Sequence, residues 1–320
     1  MRGRCVRISR RYSFLSPMTF ILPSFGASAI SAVPSGGGGG GWSGNTYSLS
    51  LDGLDDYVEV ADSDDFSFGD GSSNSAFSYS FWVRVERSST NVFQHLISKG
   101  SSSNSEYLIQ AMPPNSYGLN ANSIYFALYP GSTSGAVVES PASSISLNTW
   151  HHVVCTADGT GNRSGMKIYI DGISQTLRTS GSSSLTMINS TDPLRFGARS
   201  SNTTPNSFLQ GKMDEIALFN TALSASQITN IYRGEDDGGS GGTNGVPGDL
   251  STFNSNNGPA GWWRMGDTGS DYGTATITNA ATGSNSGGSS INGTIVNGSS
   301  GNTSPTYHDL STAPDSIYVA

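Results

Sequence analysis

Carboxylates in two short strings offer the most direct route to chemistry in this sequence. LDGLDD (Leu51 to Asp56) supplies Asp52, Asp55 and Asp56, and KMDE (Lys212 to Glu215) supplies Asp214 and Glu215. Calcium takes six to eight oxygens from carboxylates, carbonyls and water, so strings that mix acidic side chains with turn carbonyls suit it. The competing assignment is structural: Asp52 and Asp55 shape a turn, and Asp214 accepts a hydrogen bond. Cleaving a glycosidic bond with retention needs two carboxyl groups about 5 to 5.5 Å apart. Side chains alternate along a strand, which sets Asp214 and Glu215 of MDEIAL on opposite faces and denies them that role.

Other reactive groups are sparse. His151 and His152 follow Trp150 with no serine or cysteine in an elbow-like setting, so hydrogen-bonded structural roles fit them best. His95 and His308 form no pattern. Cys5 lies in a basic leader and Cys155 in the apolar run HHVVCTA, a spacing that supports neither a disulfide framework nor a zinc site and makes Cys155 a small core hydrophobe. Sugars are held by aromatic faces and short polar side chains. The candidates outside the strand alternation are Tyr117, Tyr129 and Trp42, near Asn115, Asn120 and Asn122, with Tyr129 set before the turn Pro130-Gly131. Local packing is the competing role for each tyrosine.

These groups sit in 320 residues of which only 12% are charged and 41 are glycine, enough for one large domain diluted by loop. A formal charge of -8 disfavours nucleic acid or an anionic membrane as main partner. Residues 1–17 are basic and MTFILPSFGASAISA is mildly apolar with Pro23 inside it, which reads as a disordered arm, with a cleaved secretory signal as the alternative. No apolar run reaches the roughly 18 residues of a membrane span. SGGGGGG (Ser35 to Gly41) is a spacer, and EDDGGSGGTNG (Glu235 to Gly245) is an acidic, glycine-rich linker.

Between the two spacers the period is two. YSLSL, DYVEV, FSYSFWVRV, HLISKG, EYLIQA, SIYFALY, WHHVVCTA, MKIYI, LRFGA and KMDEIALF alternate apolar with polar residues across short Gly, Ser and Asn connections. That pattern predicts an all-β fold, an antiparallel two-sheet β-sandwich. In FSYSFWVRV, Phe77, Tyr79, Phe81, Val83 and Val85 share one face and Trp82 takes the other. One short C-terminal helix is expected in LSASQITNIYRG, with Ser224 and Gln227 forming a capping box and Gly234 ending it. Asp158-Gly159 and Asp171-Gly172 read as hairpin turns.

Five pieces then carry a resemblance: LDGLDDYVEV, FSYSFWVRV, NTWHHVVCTADG, KIYIDG and GKMDEIALFNTALSASQITNIYRG. In order and spacing they resemble the laminin G-like family of the concanavalin A-like lectin/glucanase superfamily. The resemblance implies a jelly-roll sandwich over residues 47–234, flanked by a leader and spacer (1–46), the linker (235–258) and a Ser/Gly/Asn-rich tail (259–320). It also implies calcium as a structural cofactor, with Asp52 and Asp214 as side-chain ligands on adjacent strands and Asp55 or Asp56 assisting. The superfamily's glucanases carry Glu-x-Asp-x-x-Glu on one strand face, and that string is missing here. In the tail, GWWRMGD followed by ITNAA and INGTIVNG is similar to the segment that precedes the DG strand in the family. It starts a truncated second repeat, or it returns as a strand to the same sandwich. Such a tail has too few large apolar side chains to offset its ordering entropy alone, so it docks or stays mobile.

The expectation is therefore a non-enzymatic binding module for a carbohydrate or surface glycoconjugate, calcium-stabilised, extracellular or on a virion surface. Tyr117, Tyr129, Asn120 and Asn122 are its candidate ligand contacts. The alternative is a structural protein that decorates a virion or surface layer and binds its proteins rather than sugar.

Overall fold

The computed structural model describes residues 45–86, 92–113, 119–131, 134–201, 204–239, 241–251, 253, 258–268, 271, 275–282, 291–296 and 306–309. The first sheet has eight strands, in the order β10 (Ile173–Ser174), β9 (Met166–Ile170), β8 (Trp150–Ala157), β3 (Phe77–Val85), β15 (Gln210–Phe219), β1 (Tyr47–Asp52) and β19 (Thr306–Asp309). β16 (Gly261–Trp263) pairs with the far end of β15.

The second sheet has eleven strands. Its main path runs β11 (Arg178–Gly181), β7 (Ala136–Glu139), β6 (Ile124–Gly131), β5 (Asn104–Ala111), β4 (Gln94–Ser101), β12 (Leu194–Phe196), β2 (Tyr57–Val60), β18 (Gly293–Val296) and β17 (Thr276–Ile277). β13 (Arg199–Ser201) and β14 (Thr204–Asn206) form a short hairpin beside β4. Pairing is antiparallel apart from one parallel contact of Ser200 with Ser101.

The alternation sorts side chains as expected. Phe77, Tyr79, Phe81, Val83 and Val85 face the other sheet within one hydrophobic core, where Cys155 is also buried, while Trp82 lies on the outer face with Trp150 and Tyr232. Asp171 (φ 52) and Gly172 (φ 75) form the two-residue turn between β9 and β10, the left-handed pair that Asp-Gly accommodates. The helix is α1 (Ala225–Tyr232), and both arms of the Ser224–Gln227 capping box are formed.

Past Gly234 the chain keeps building the sandwich. Leu250 and Phe253, inside the expected linker, are buried on the outer face of the first sheet with Leu223, Ile228 and Ile231 from α1 and its approach. Of the two placements open for GWWRMGD, the structure shows the return to the same sandwich, giving strands to both sheets. Neighbouring side chains of a strand face opposite ways, so Trp263 enters the core, 5.0 Å from Phe196 between ring centres, while Trp262 joins the outer cluster.

One irregularity governs this docking. Asp214 pairs with Trp82 and Ala217 with Ser80, so Glu215 and Ile216 together oppose Phe81: a β-bulge, with Glu215 at φ 47. The extra residue defeats the alternation, and Asp214 and Glu215 do not take opposite faces. Their carboxylate oxygens and one from Asp267 lie within 4.8 Å of one another. Glu215 accepts from Trp262 Nε1 at 2.6 Å and from Arg264 Nε at 3.0 Å. Asp214 accepts from Asn45 Nδ2 at 2.6 Å, and Asp267 from the backbone N–H of Thr46 at 2.9 Å. The entry strand, the last family strand and the tail thus meet at one bulge.

Burial, then the neighbouring Glu215 and Asp267 charges, pushes the Asp214 carboxyl well above its usual range. Burial raises Glu215 to about 7 against the opposing pull of Arg264. A carboxyl whose folded pKa is raised binds its proton more tightly in the folded state, so its stabilising contribution is full below the unfolded value and is lost as pH rises to the folded value. Glu215 therefore makes stability fall between about pH 4.5 and pH 7, with Asp214 acting in the same direction. Urea unfolding of wild type and Glu215→Gln across this window should show a stability difference that changes with pH; a constant difference would contradict the assignment. Trp263→Ala should cost about 3 to 5 kcal/mol in the same assay at fixed pH, the usual range for a fully buried large aromatic, and a loss under 1 kcal/mol would mean that the tail is not part of the core.

Candidate functional site

The two sheets differ on their outer faces. The first is covered by α1, by Leu250 and Phe253 and by Trp262. The second carries a side-chain row set by register alone: His95 pairs with Gln110, Gln110 with Tyr125, Tyr125 with Glu139, and Glu139 with Arg178. Directly paired residues of antiparallel strands share a face, with Cβ atoms about 4.5 to 5.5 Å apart. Leu108, Ala127 and Val137 form the next row and pack with Tyr125 and Tyr129.

Above these rows opens a pocket of about 330 Å³. Tyr125, Tyr129 and Phe93 give it aromatic surface, and His95, Gln110, Arg199 and Asn206 give it polar groups. His95 is only 4% exposed, and among the described residues neither ring nitrogen has a well-formed hydrogen bond, the Ser207 backbone pulling on the ring only weakly. Burial, with the Arg199 charge as second cause, pushes its pKa down to about 3, so the ring is neutral at physiological pH. Burial is also the main reason the Tyr125 hydroxyl is raised, its hydrogen bond to Tyr129 adding to it. A buried imidazole without partners costs on the order of 1 to 3 kcal/mol, and a ligand hydroxyl would remove that cost.

The expected ligand residues separate. Tyr129 lines the pocket. Asn120 is committed to the scaffold: its N–H donates to Glu139 Oε1 at 2.7 Å and its Nδ2 to the Ser140 carbonyl at 2.8 Å. Asn122 occupies a turn at φ 49. Tyr117 lies outside the described residues. His95, Gln110 and Tyr125 were missed by reading segments singly. Each is an outward-facing position of a recognised strand, and aligning the three strands as consecutive antiparallel neighbours would have put them side by side.

The carboxylates form two groups. Asp52 pairs with Gln210, so Asp214, four residues further along β15, is about 13 Å away at 3.3 Å per residue. The structure does not bring these two together. Asp52, Asp55 and Asp56 do converge, with carboxylate oxygens within 4.8 Å of one another. Asp52 Oδ1 accepts from the Leu54 N–H at 2.8 Å, and Asp56 Oδ2 accepts from the Asp52 N–H at 3.3 Å. Asp56 is 1% exposed, its Oδ1 has no hydrogen-bond partner, and burial together with the Asp52 charge raises its pKa to about 6. Three hard oxygen donors, one of them buried and unpartnered, fit a calcium ion.

His151 and His152 are structural. His151 Nδ1 meets Asp171 Oδ2 at 2.8 Å while its Nε2 accepts from the Ser146 N–H at 2.9 Å, which fixes the tautomer. His152 is buried, with Nε2 2.8 Å from Ser80 Oγ. The Asp214–Glu215 pair is sealed beneath Trp262, at 0% and 4% exposure. No helix among the described residues is long and apolar enough to cross a membrane.

Comparison with known proteins agrees with this architecture. No curated protein matches the sequence. Among solved structures, a candidate carbohydrate binding protein of Bacteroides ovatus aligns with a TM-score of 0.51 at 17% identity, over 83% of this chain and 60% of that one. This chain therefore spans less than two thirds of that protein. A heptameric SAP-like pentraxin of Limulus polyphemus aligns at TM-score 0.39 and 12% identity, over 58% of this chain and 82% of that one. The CBM40 domain of a Ruminococcus gnavus sialidase aligns at TM-score 0.43 and 12% identity, over 57% and 95%. The family profile described as the concanavalin A-like lectin/glucanases superfamily matches residues 52–229, more than half of the chain, and to that superfamily the protein belongs.

Proposed function

We propose that this protein is a non-catalytic module that binds carbohydrate in the pocket on the outer face of its second sheet, with calcium as a structural staple at Asp52, Asp55 and Asp56. The observation that carries the reading is His95, buried and without a well-formed hydrogen bond to its ring among the described residues, in a pocket also lined by Tyr125 and Tyr129. A sugar presents apolar C–H faces that stack on aromatic rings and hydroxyls that both donate and accept, and the pocket has a partner for each. Its volume falls within the usual range for small-molecule sites. The fold shared with the Bacteroides ovatus protein admits such a role without assigning it.

The placement of the acids supports a binding role without catalysis. No Asp or Glu is among the described residues lining the pocket, so these residues supply no carboxylate pair of the kind a retaining glycosidase uses. The pair that the bulge creates is enclosed by Trp262 and Arg264 and has no room for a substrate. Calcium affinities of extracellular modules are weak, which suits an extracellular or virion-surface setting where the ion is abundant.

Glycan-array screening followed by titration of the best binder should show Tyr125→Ala and Tyr129→Ala weakening binding about tenfold or more, the range for removing one stacking face. Unchanged affinity in both variants would move the site elsewhere. Calcium at a hundredfold excess over Kd should stabilise the protein by about 2.7 kcal/mol, read as a rise in melting temperature over the EDTA-treated protein. Asp56→Asn should abolish that rise, and an identical melting curve with and without EDTA would remove calcium from the reading.

A further inference from the structure

The pocket has an electrostatic character that neither the fold nor its aromatic walls require. Acidic residues outnumber basic ones in the chain, 24 to 16. Accordingly most described cations are matched: Lys99 with Asp62 and Glu106, Arg178 with Glu139, Arg195 with Glu59, Arg233 with Glu235 and Arg264 with Glu215. Arg163 donates to the carbonyls of Gly181 and Ser182 instead. Arg199 differs. It lines the pocket, and no carboxylate pairs with it among the described residues.

Its position is nonetheless fixed. Arg199 lies on β13 opposite Asn206, another lining residue, and its Nη2 donates to Ser105 Oγ at 2.9 Å. A guanidinium has five N–H donors, so most remain for a ligand. Glu139, the carboxylate beside Tyr125 in the same row, is already held by Arg178 at 3.1 Å and by the Asn120 N–H at 2.7 Å. The neutral His95 ring adds one donor and one acceptor but no charge. The pocket is thus a single positive site with hydroxyl-matching groups beside it, on a chain whose net charge is -8.

We propose that this pocket selects acidic saccharides, with Arg199 gripping the carboxylate or sulfate group of the sugar and His95 and Gln110 meeting its hydroxyls. The inference rests on the carbohydrate-binding reading above and adds the class of ligand. Planar, two-pronged donors match carboxylate and sulfate oxygens better than they match a hydroxyl, so the discrimination comes from the fork as well as from the charge.

The test is an array of galacturonate, glucuronate, mannuronate and sulfated galactose oligosaccharides printed beside their uncharged parents. Calorimetric titration then follows with the tightest acidic binder and its methyl-esterified or desulfated form. Wild type should bind the acid at least about tenfold more tightly than the neutral form, the effect of one charge-assisted contact. Arg199→Gln should bring the affinities for the acidic and neutral forms to within about threefold of each other, Arg199→Lys should restore part of the preference, and Arg163→Gln should leave it as in wild type. Uronates and sulfated sugars on the same array show which acid group is taken. Equal or tighter binding of the neutral forms, with Arg199→Gln without effect, overturns the inference while carbohydrate binding stands. An array blank for every sugar overturns the carbohydrate-binding reading itself, and the inference falls with it. Melting curves of the four proteins separate lost folding from lost binding.

Discussion

The contact of Glu215 with Trp262 and Arg264 decides where the last third of the chain goes, and much of the architecture depends on it. In a regular β15 the Glu215 side chain would enter the hydrophobic core, where an ionised carboxylate is very costly. The bulge turns it to the outer face, and there it needs partners. The tail supplies them as an indole N–H and a guanidinium. Once Trp262 is seated, strand alternation sends Trp263 into the core, where its Nε1 donates to the Ile291 carbonyl at 2.9 Å and so draws in the segment that becomes β18. The described strands of a tail too poor in apolar residues to fold alone are held by one polar anchor and one large ring.

The anchor also makes the two outer faces unequal. β15 is the strand to which β1, β3 and β16 all pair, so material attached to its outer side covers the first sheet. The helix and the former linker fill the remainder, burying Leu250 and Phe253 against Phe219 and Ile228. The outer face of the second sheet has no helix over it among the described residues; there β4, β5 and β6 set His95, Gln110 and Tyr125 in the pocket that Phe93, Leu119, Arg199 and Asn206 also line.

Much of this was legible in the sequence, for physical reasons that differ between its parts. Alternation in FSYSFWVRV separated Trp82 from the core residues because side-chain direction has a strict period of two. The Ser224–Gln227 box and the Asp171-Gly172 turn were readable because they are local, each set by residues within four positions. The bulge was not, since the left-handed conformation of Glu215 depends on partners about 50 residues away, and the alternation rule gave the opposite placement for Asp214 and Glu215. β16 and β18, three and four residues long, lie in segments that stand out in the Ser- and Gly-rich tail. Runs so short do not say which sheet they join, and they leave a truncated repeat open beside a returning strand. The His95 row was hidden for a third reason: its members come from different strands, and only register makes them neighbours.

Charge places a further constraint on what the open face can do. With a net charge of -8 the protein repels anions at long range, but that field is screened over about 8 Å at physiological ionic strength. Inside the pocket the balance reverses, because Arg199 is the charged group there and Glu139 is already matched by Arg178. An acidic sugar would gain little from steering and would owe its affinity to short-range contacts formed after docking. A neutral sugar would meet no barrier on approach and would leave Arg199 without a counter-charge. For the proposed acidic-sugar ligand, selectivity would therefore lie in the bound state, in how long the sugar stays rather than how fast it arrives.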